Sequence, residues 1–243
     1  MKPDVVTTTD LSQIALPFGP YDDTCFSSFV GESNAKTAQI LEEHIRSEEE
    51  AFVYLAGPEG SGKTHLAISA LKVYEELDMT SAYLSLPSLV QAAGADLEGA
   101  YEAFKGYDAL VIEDLQKVLP NPSLEYFLFN LFNELKVSMR HMLVTANCSV
   151  SQLNLTLPDL VSRYNSGLSL RLNSMSDNEK QEIFRQVARV RGLEVSVDVS
   201  AYIIRRSGRH LGALLDLLNA LDKASWVEKQ KLSIPFVKKT LGW

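Results

Sequence analysis

Cysteine is scarce in this 243-residue chain. Only Cys25 and Cys148 occur, too few for a disulfide framework, and their rarity points to a reducing, cytoplasmic setting. Histidine is nearly as sparse: His44, His65, His141 and His210 stand at no metal-ligand spacing with cysteine or with one another, so no structural zinc is expected. No apolar run approaches the roughly 18 residues a membrane-spanning helix needs. The opening MKPDVVTTTDLSQ lacks the basic-then-apolar layout of an export signal, so neither membrane nor secretion is expected. Basic charge is also missing where a free-standing duplex binder would need it. The net charge is -8, split as -12 over the first 175 residues and +4 over the rest, and the front part offers no dense basic stripe to neutralise phosphates.

What is present is an ordinary globular composition, 46% hydrophobic and 22% charged, which excludes a wholly disordered, collagenous or coiled-coil chain. The length fits one large domain or one plus a smaller partner. Residues 1–20 are polar and Thr-rich and close on Pro17-Phe18-Gly19-Pro20, which reads as a flexible tail. Residues 35–50 place Ala38, Leu41 and Ile45 on one helical face, with Glu48-Glu49-Glu50 as its solvated end. The strand-length run AFVYLAG follows. Further apolar runs at 82–86, 109–114, 142–147 and 168–172 are separated by stretches of helical period. Strands without polar alternation, interleaved with helices, predict a parallel sheet with right-handed crossovers over 21–175.

After Asn173 the pattern turns helical. Ser176-Asp177-Asn178-Glu179 is a capping box that opens a helix to about Gly192. A second helix is expected over 201–206. A third, from about 210 to 227, has Leu211, Leu214, Leu215, Leu218 and Leu221 at core-facing spacing, and Pro235 suits the first turn of a short final one. Residues 176–243 are therefore read as a helical subdomain.

Chemistry concentrates at Gly57-Pro58-Glu59-Gly60-Ser61-Gly62-Lys63-Thr64, which satisfies G-x-x-x-x-G-K-[ST] between a strand and a helix. Glycines let backbone amides wrap phosphates, the helix N-terminus adds partial positive charge, Lys63 reaches the terminal phosphates and Thr64 ligates Mg²⁺. The expected ADP or ATP contacts are Gly57, Gly60, Ser61, Gly62, Lys63, Thr64 and His65. Leu110-Val111-Ile112-Glu113-Asp114 supplies carboxylates at the end of a second strand, Glu113 as the metal ligand and Asp114 beside the water. The usual Walker B order is the reverse, so the chain's own hydrolysis is expected to be weak or absent. Thr145 and Asn147 close another strand, and an amide at 147 is suited to positioning water.

Together with these motifs, Thr24-Cys25-Phe26-Ser27-Ser28-Phe29-Val30-Gly31-Glu32-Ser33-Asn34, Ser162-Arg163-Tyr164 and Gly208-Arg209-His210-Leu211-Gly212-Ala213-Leu214 resemble the AAA+ module of the DnaA family of bacterial replication initiators, over 24 to about 230. The resemblance implies a P-loop AAA+ fold, with a five-stranded parallel sheet of order 5-1-4-3-2 and a C-terminal helical lid. It places Phe29, Val30 and Gly31 near adenine, Asn147 as sensor 1, Arg163 as a trans-acting arginine finger and Arg209 as the sensor 2 arginine.

The chain stops at Trp243, without the initiators' DNA-reading domain, and the 87–108 segment holds one basic residue, Lys105. Sequence-specific DNA binding is therefore not expected. Gln13-Ile14-Ala15-Leu16-Pro17-Phe18 resembles the Q-x-x-L-x-F peptide that docks on the bacterial sliding clamp, with Gln13, Leu16, Pro17 and Phe18 as the contacts. The combination resembles the DnaA-related regulators that inactivate the initiator. It implies the initiator and the clamp as partners, DNA met only through the clamp, and AAA+ faces that allow a homo-oligomer. The competing expectations are a self-contained ATPase of the helicase-loader type and a nucleotide-dependent scaffold without catalysis.

Overall fold

Three apolar runs form strands that are buried along their whole length: β1 (Phe52–Ala56), β3 (Ala109–Glu113) and β4 (His141–Ala146). Burial without alternation requires cover on both faces, which puts these strands in the middle of the sheet. β2 (Ser81–Ser85) alternates buried with half-buried residues, and β5 (Leu168–Arg171) is exposed at two of four positions. These two are the edges. The order is β2-β3-β4-β1-β5 with every pairing parallel, the expected 5-1-4-3-2. This computed structural model describes residues 24–47, 52–93, 96–207 and 211–243. The expectations for 1–20, for Glu48–Glu50 and for Arg209 lie outside the described residues.

Helices α1 (Glu32–Arg46), α2 (Lys63–Glu76), α3 (Leu86–Ala93), α4 (Leu97–Phe104), α5 (Pro122–Val137) and α6 (Pro158–Ser166) accompany the sheet. Side chains alternate across each strand. Val53, Leu55, Val111 and Leu143 therefore pack with Ala38, Leu41 and Ile45 of α1 and Leu66, Ala70 and Tyr74 of α2. Tyr54, Leu110, Ile112 and Val144 pack on the other face with Leu128, Leu131 and Phe132 of α5 and Leu160 and Tyr164 of α6. The connection between β2 and β3 holds α3 and α4. α5 has a local cap: Asn121 Oδ1 accepts from the Leu124 amide at 3.3 Å, and Pro122 stands in the first turn.

The described residues divide into two compact units. One comprises 24–29, 36–58 and 62–172, and the other 173–243 with the short segments 30–35 and 59–61. The second has its own core, in which Phe184, Ala188, Ile203, Leu214, Leu218, Leu221, Phe236 and Val237 cluster. Its helices are α7 (Asp177–Val190), α8 (Val197–Arg206), α9 (Leu211–Glu228) and α10 (Ile234–Leu241). The capping box forms: the Ser176 amide donates to Glu179 Oε2 at 2.7 Å, and the Glu179 amide to Ser176 Oγ at 3.2 Å. α8 starts four residues earlier than expected. Ser196 Oγ accepts from the Val199 amide at 3.3 Å, and this cap outweighs the poor helix propensity of Val197 and Val199. Within this unit Glu179 also accepts from the Ser33 amide (3.1 Å) and hydroxyl (2.8 Å). Asn34 and Asn173 exchange side-chain-to-backbone bonds of 3.1 and 2.7 Å.

Candidate nucleotide site and an outward arginine

Parallel register brings the C-terminal ends of β1, β3 and β4 to one edge, with Ala56 opposite Ala146 and Ile112 opposite Val144. The loop leaving β1 is fastened at once, because the Gly57 amide donates to the Ala146 carbonyl at 3.1 Å. Gly60 (φ 74°) and Gly62 (φ 98°) take the left-handed backbone that a side chain would oppose. Gly62 is the N-cap of α2 and contributes no capping side chain, so the first-turn amides of α2 face the loop as anion donors. Lys63 Nζ donates to the carbonyls of Gly57 (2.6 Å) and Pro58 (2.9 Å), which holds the ammonium over the loop.

Glu113 ends β3 as a buried carboxylate. Burial pushes its carboxyl above the usual range, and the Asp114 charge adds to this; hydrogen bonds from the Tyr83 and Thr64 hydroxyls and the Lys63 charge oppose it. Thr145 Oγ1 lies 3.5 Å from Glu113 Oε1. Thr64 and Glu113, placed apart by sequence, thus meet at one point. Among the described residues no group of three or more His, Cys, Asp or Glu could hold a metal by itself. A hydroxyl beside one carboxylate nevertheless fits Mg²⁺, which keeps several waters and shares its remaining positions with substrate phosphates.

Asp114, next in the chain, has partners of its own. Its backbone is left-handed (φ 66°), and its carboxylate accepts from Gln116 Nε2 (3.2 Å) and pairs with Lys117 Nζ (2.8 Å). Asn147 lies one residue beyond the end of β4 and is exposed; its backbone amide donates to Gln116 Oε1 at 3.0 Å. His65, in the first turn of α2, has Nε2 3.0 Å from the Cys25 carbonyl and 3.5 Å from Ser28 Oγ, and its ring meets Phe29 edge-on at 5.4 Å. Burial lowers its pKa below the ordinary imidazole value, which favours the neutral ring. Val30 is half-buried, while Gly31 (φ 143°) and Ser61 are buried.

Arg163 is placed differently. α6 buries Leu160 and Tyr164 and exposes Arg163, whose guanidinium has no hydrogen bond or ion pair among the described residues. Arg209 and Gln13, Leu16, Pro17 and Phe18 lie outside those residues. Three polar groups escaped the sequence reading. Tyr83 is the partner of Glu113, Gln116 bridges Asp114 and Asn147, and Glu125 is buried under the start of α6. Only Glu125 had a signal: it shares a helical face with Leu128 and Phe132, where a charge is unusual.

A parallel sheet in this order, with a P-loop after β1 and a helical C-terminal unit, defines a P-loop AAA+ module. The family model for the bacterial DnaA ATPase domain matches residues 22–171, and that for the Hda lid domain matches 177–241. The chain belongs to the bacterial DnaA ATPase-domain family. An uncharacterised protein of Haemophilus influenzae is 34% identical over 231 residues, covering 95% of this chain and 98% of that one. Domain III of the Thermotoga maritima replication initiation protein DnaA shares the fold at 22% identity and TM-score 0.75, covering 93% of this chain and 98% of that one. AMPPCP-bound DnaA from Aquifex aeolicus does so at 20% identity and TM-score 0.70, covering 86% and 67%. The T. maritima RuvB branch-migration motor has the same fold at 24% identity and TM-score 0.67, covering 90% and 71%.

Proposed function

We propose that this protein is an adenine-nucleotide-binding regulator of chromosome replication that stimulates ATP hydrolysis by the DnaA initiator while docked on the DNA-loaded sliding clamp. Arg163 carries the reading. It is an exposed guanidinium without a partner among the described residues, on a helix whose opposite face is anchored in the core. Inserted beside the γ-phosphate of an ATP-bound initiator, it stabilises charge developing on the transferring phosphoryl group, an effect worth about 10³ to 10⁵ in rate for trans-acting arginines.

In this reading the chain's own pocket holds ADP or ATP through Gly57, Gly60, Ser61, Gly62, Lys63, Thr64 and His65, with Phe29, Val30 and Gly31 near adenine and Arg209 from the lid. Thr64 and Glu113 hold Mg²⁺, which neutralises phosphate charge when bound. Self-hydrolysis is weak, because Asp114 is engaged with Lys117 and Gln116 and Glu113 is buried among hydroxyls. Asn147 contributes at most to orienting water there. Gln13, Leu16, Pro17 and Phe18 dock on the clamp, which raises the effective concentration of Arg163 near initiator on the same DNA. The match to the Hda lid-domain model supports a regulator rather than an initiator.

The test is reconstitution: ATP loss from purified initiator is followed with this protein, loaded clamp and ADP, each omitted in turn. Rapid loss that needs all components supports the reading; loss unaffected by omission of this protein rejects it. Gln13, Leu16 and Phe18 changed together to Ala should abolish clamp capture and leave nucleotide binding intact.

A further inference from the structure

α6 begins without a cap of its own. Leu157 occupies the N-cap position and has no side-chain acceptor, and Pro158 has no amide to offer. The two amides that lead into the helix are instead held from α5. Glu125, on α5 and with no solvent exposure, turns Oε2 onto the Thr156 amide (2.8 Å), the Leu157 amide (2.7 Å) and the Thr156 hydroxyl (3.1 Å). Its other oxygen, Oε1, is buried without a hydrogen-bond partner among the described residues. A buried carboxylate is costly unless its lone pairs are engaged, and an Asn or Ser at 157 would cap the helix at far less cost. What a local cap cannot do is tie the start of α6 to α5. Further along the helix, Tyr164 stacks on Phe52 at 5.3 Å and 22°, so α6 is held at its first residues and at the residue next to Arg163.

We propose that Glu125 is a positioning residue for Arg163: by gripping the Thr156 and Leu157 amides from α5, it fixes the direction in which α6 presents the guanidinium. The functional part rests on the arginine-finger reading above; the geometric part does not. Small displacements of a reacting group are amplified in rate, and an error near 1 Å costs up to about 10²-fold.

The geometric test uses spin labels at Tyr126→Cys and Arg163→Cys in a Cys25→Ser, Cys148→Ser background, with the full-length chain. Glu125→Ala, which removes the acceptor, should broaden the 126–163 distance distribution, and an unchanged distribution overturns the proposal. In chains that retain Arg163, Glu125→Ala should lower maximal stimulation of initiator ATP hydrolysis about ten-fold, with the half-saturating concentration unchanged. In an Arg163→Ala background the same change should have no further effect, and a further loss there overturns the proposal. Adding Leu157→Asn to Glu125→Ala gives the first-turn amides of α6 a local acceptor: it should raise Tm but not the stimulation. Recovery of both reduces Glu125 to a stabilising contact and overturns the proposal. If Glu125→Ala does not fold, Thr156→Val removes one of the three bonds and should lower stimulation two- to three-fold, no change counting against the proposal. If Arg163→Ala itself retains full stimulation, the arginine-finger reading fails, and the spin-label result still decides whether Glu125 fixes position 163.

Discussion

The P-loop edge of the sheet and the outer face of α6 use charge in opposite ways. At the P-loop edge the charged groups are engaged locally: Lys63 bonds two loop carbonyls, Glu113 takes hydroxyl donors, and Asp114 is paired with Lys117. On α6 the core-facing side is apolar and packed, and Arg163 is offered outward without a partner among the described residues. A site closed on itself suits binding and holding a ligand. A charge left open suits completing a site on another molecule, because a surface guanidinium keeps its hydration until a partner replaces it.

The contrast is sharpest between neighbours. Tyr164→Ala should destabilise the sheet unit by about 3–5 kcal/mol, since it empties a fully buried position stacked on Phe52. Arg163→Ala should stay within about 0.5 kcal/mol of wild type in the same denaturant titration. A large cost for Arg163→Ala would mean that the side chain is structural. At the closed site, Lys63→Ala should weaken nucleotide binding about 100-fold in a calorimetric titration, from the loss of charge-assisted phosphate contacts. Stimulation of the initiator at saturating nucleotide should survive that change.

The lid unit tests charge through pH. Hydrogen bonds from Ser176, opposed by partial burial and aided by Ser33, lower the Glu179 carboxyl from 4.5 to about 2. Its stabilising contribution, about 1–2 kcal/mol after solvent screening, is complete above pH 4.5 and is lost as pH falls toward 2. Glu179→Gln should remove that part of the acid sensitivity from thermal unfolding curves measured between pH 7 and 3. The smallest effect belongs to Lys117→Ala. The Lys117–Asp114 pair is open to solvent on its lysine side, so the change should cost less than about 1 kcal/mol and leave self-hydrolysis low. A marked rise in self-hydrolysis would show that the pair had been masking a competent acid.

Much of this was legible in the sequence because buried strands and caps have short-range causes. The uninterrupted apolar runs announced buried strands of a parallel sheet, Ser176 and Glu179 announced the start of α7, and the P-loop spacing announced where α2 begins. α8 starts before the expected residue 201 because Ser196 caps it and carries the β-branched Val197 and Val199 into the first turn. The polar connections were not legible. Nothing local tells that Tyr83 meets Glu113 across adjacent strands, that Gln116 reaches back to the Asn147 amide, or that Glu125 finds residue 156. These depend on register and helix packing, which bring together residues 30 or more positions apart.

The central claim is that one outward guanidinium completes a neighbour's active centre, and single-turnover hydrolysis of ATP bound to purified initiator tests it most directly. With loaded clamp, ADP and equal amounts of folded protein, the account predicts that Arg163→Ala lowers the stimulated rate at least about 10³-fold while clamp and nucleotide binding are kept. A rate within two-fold of wild type would contradict it.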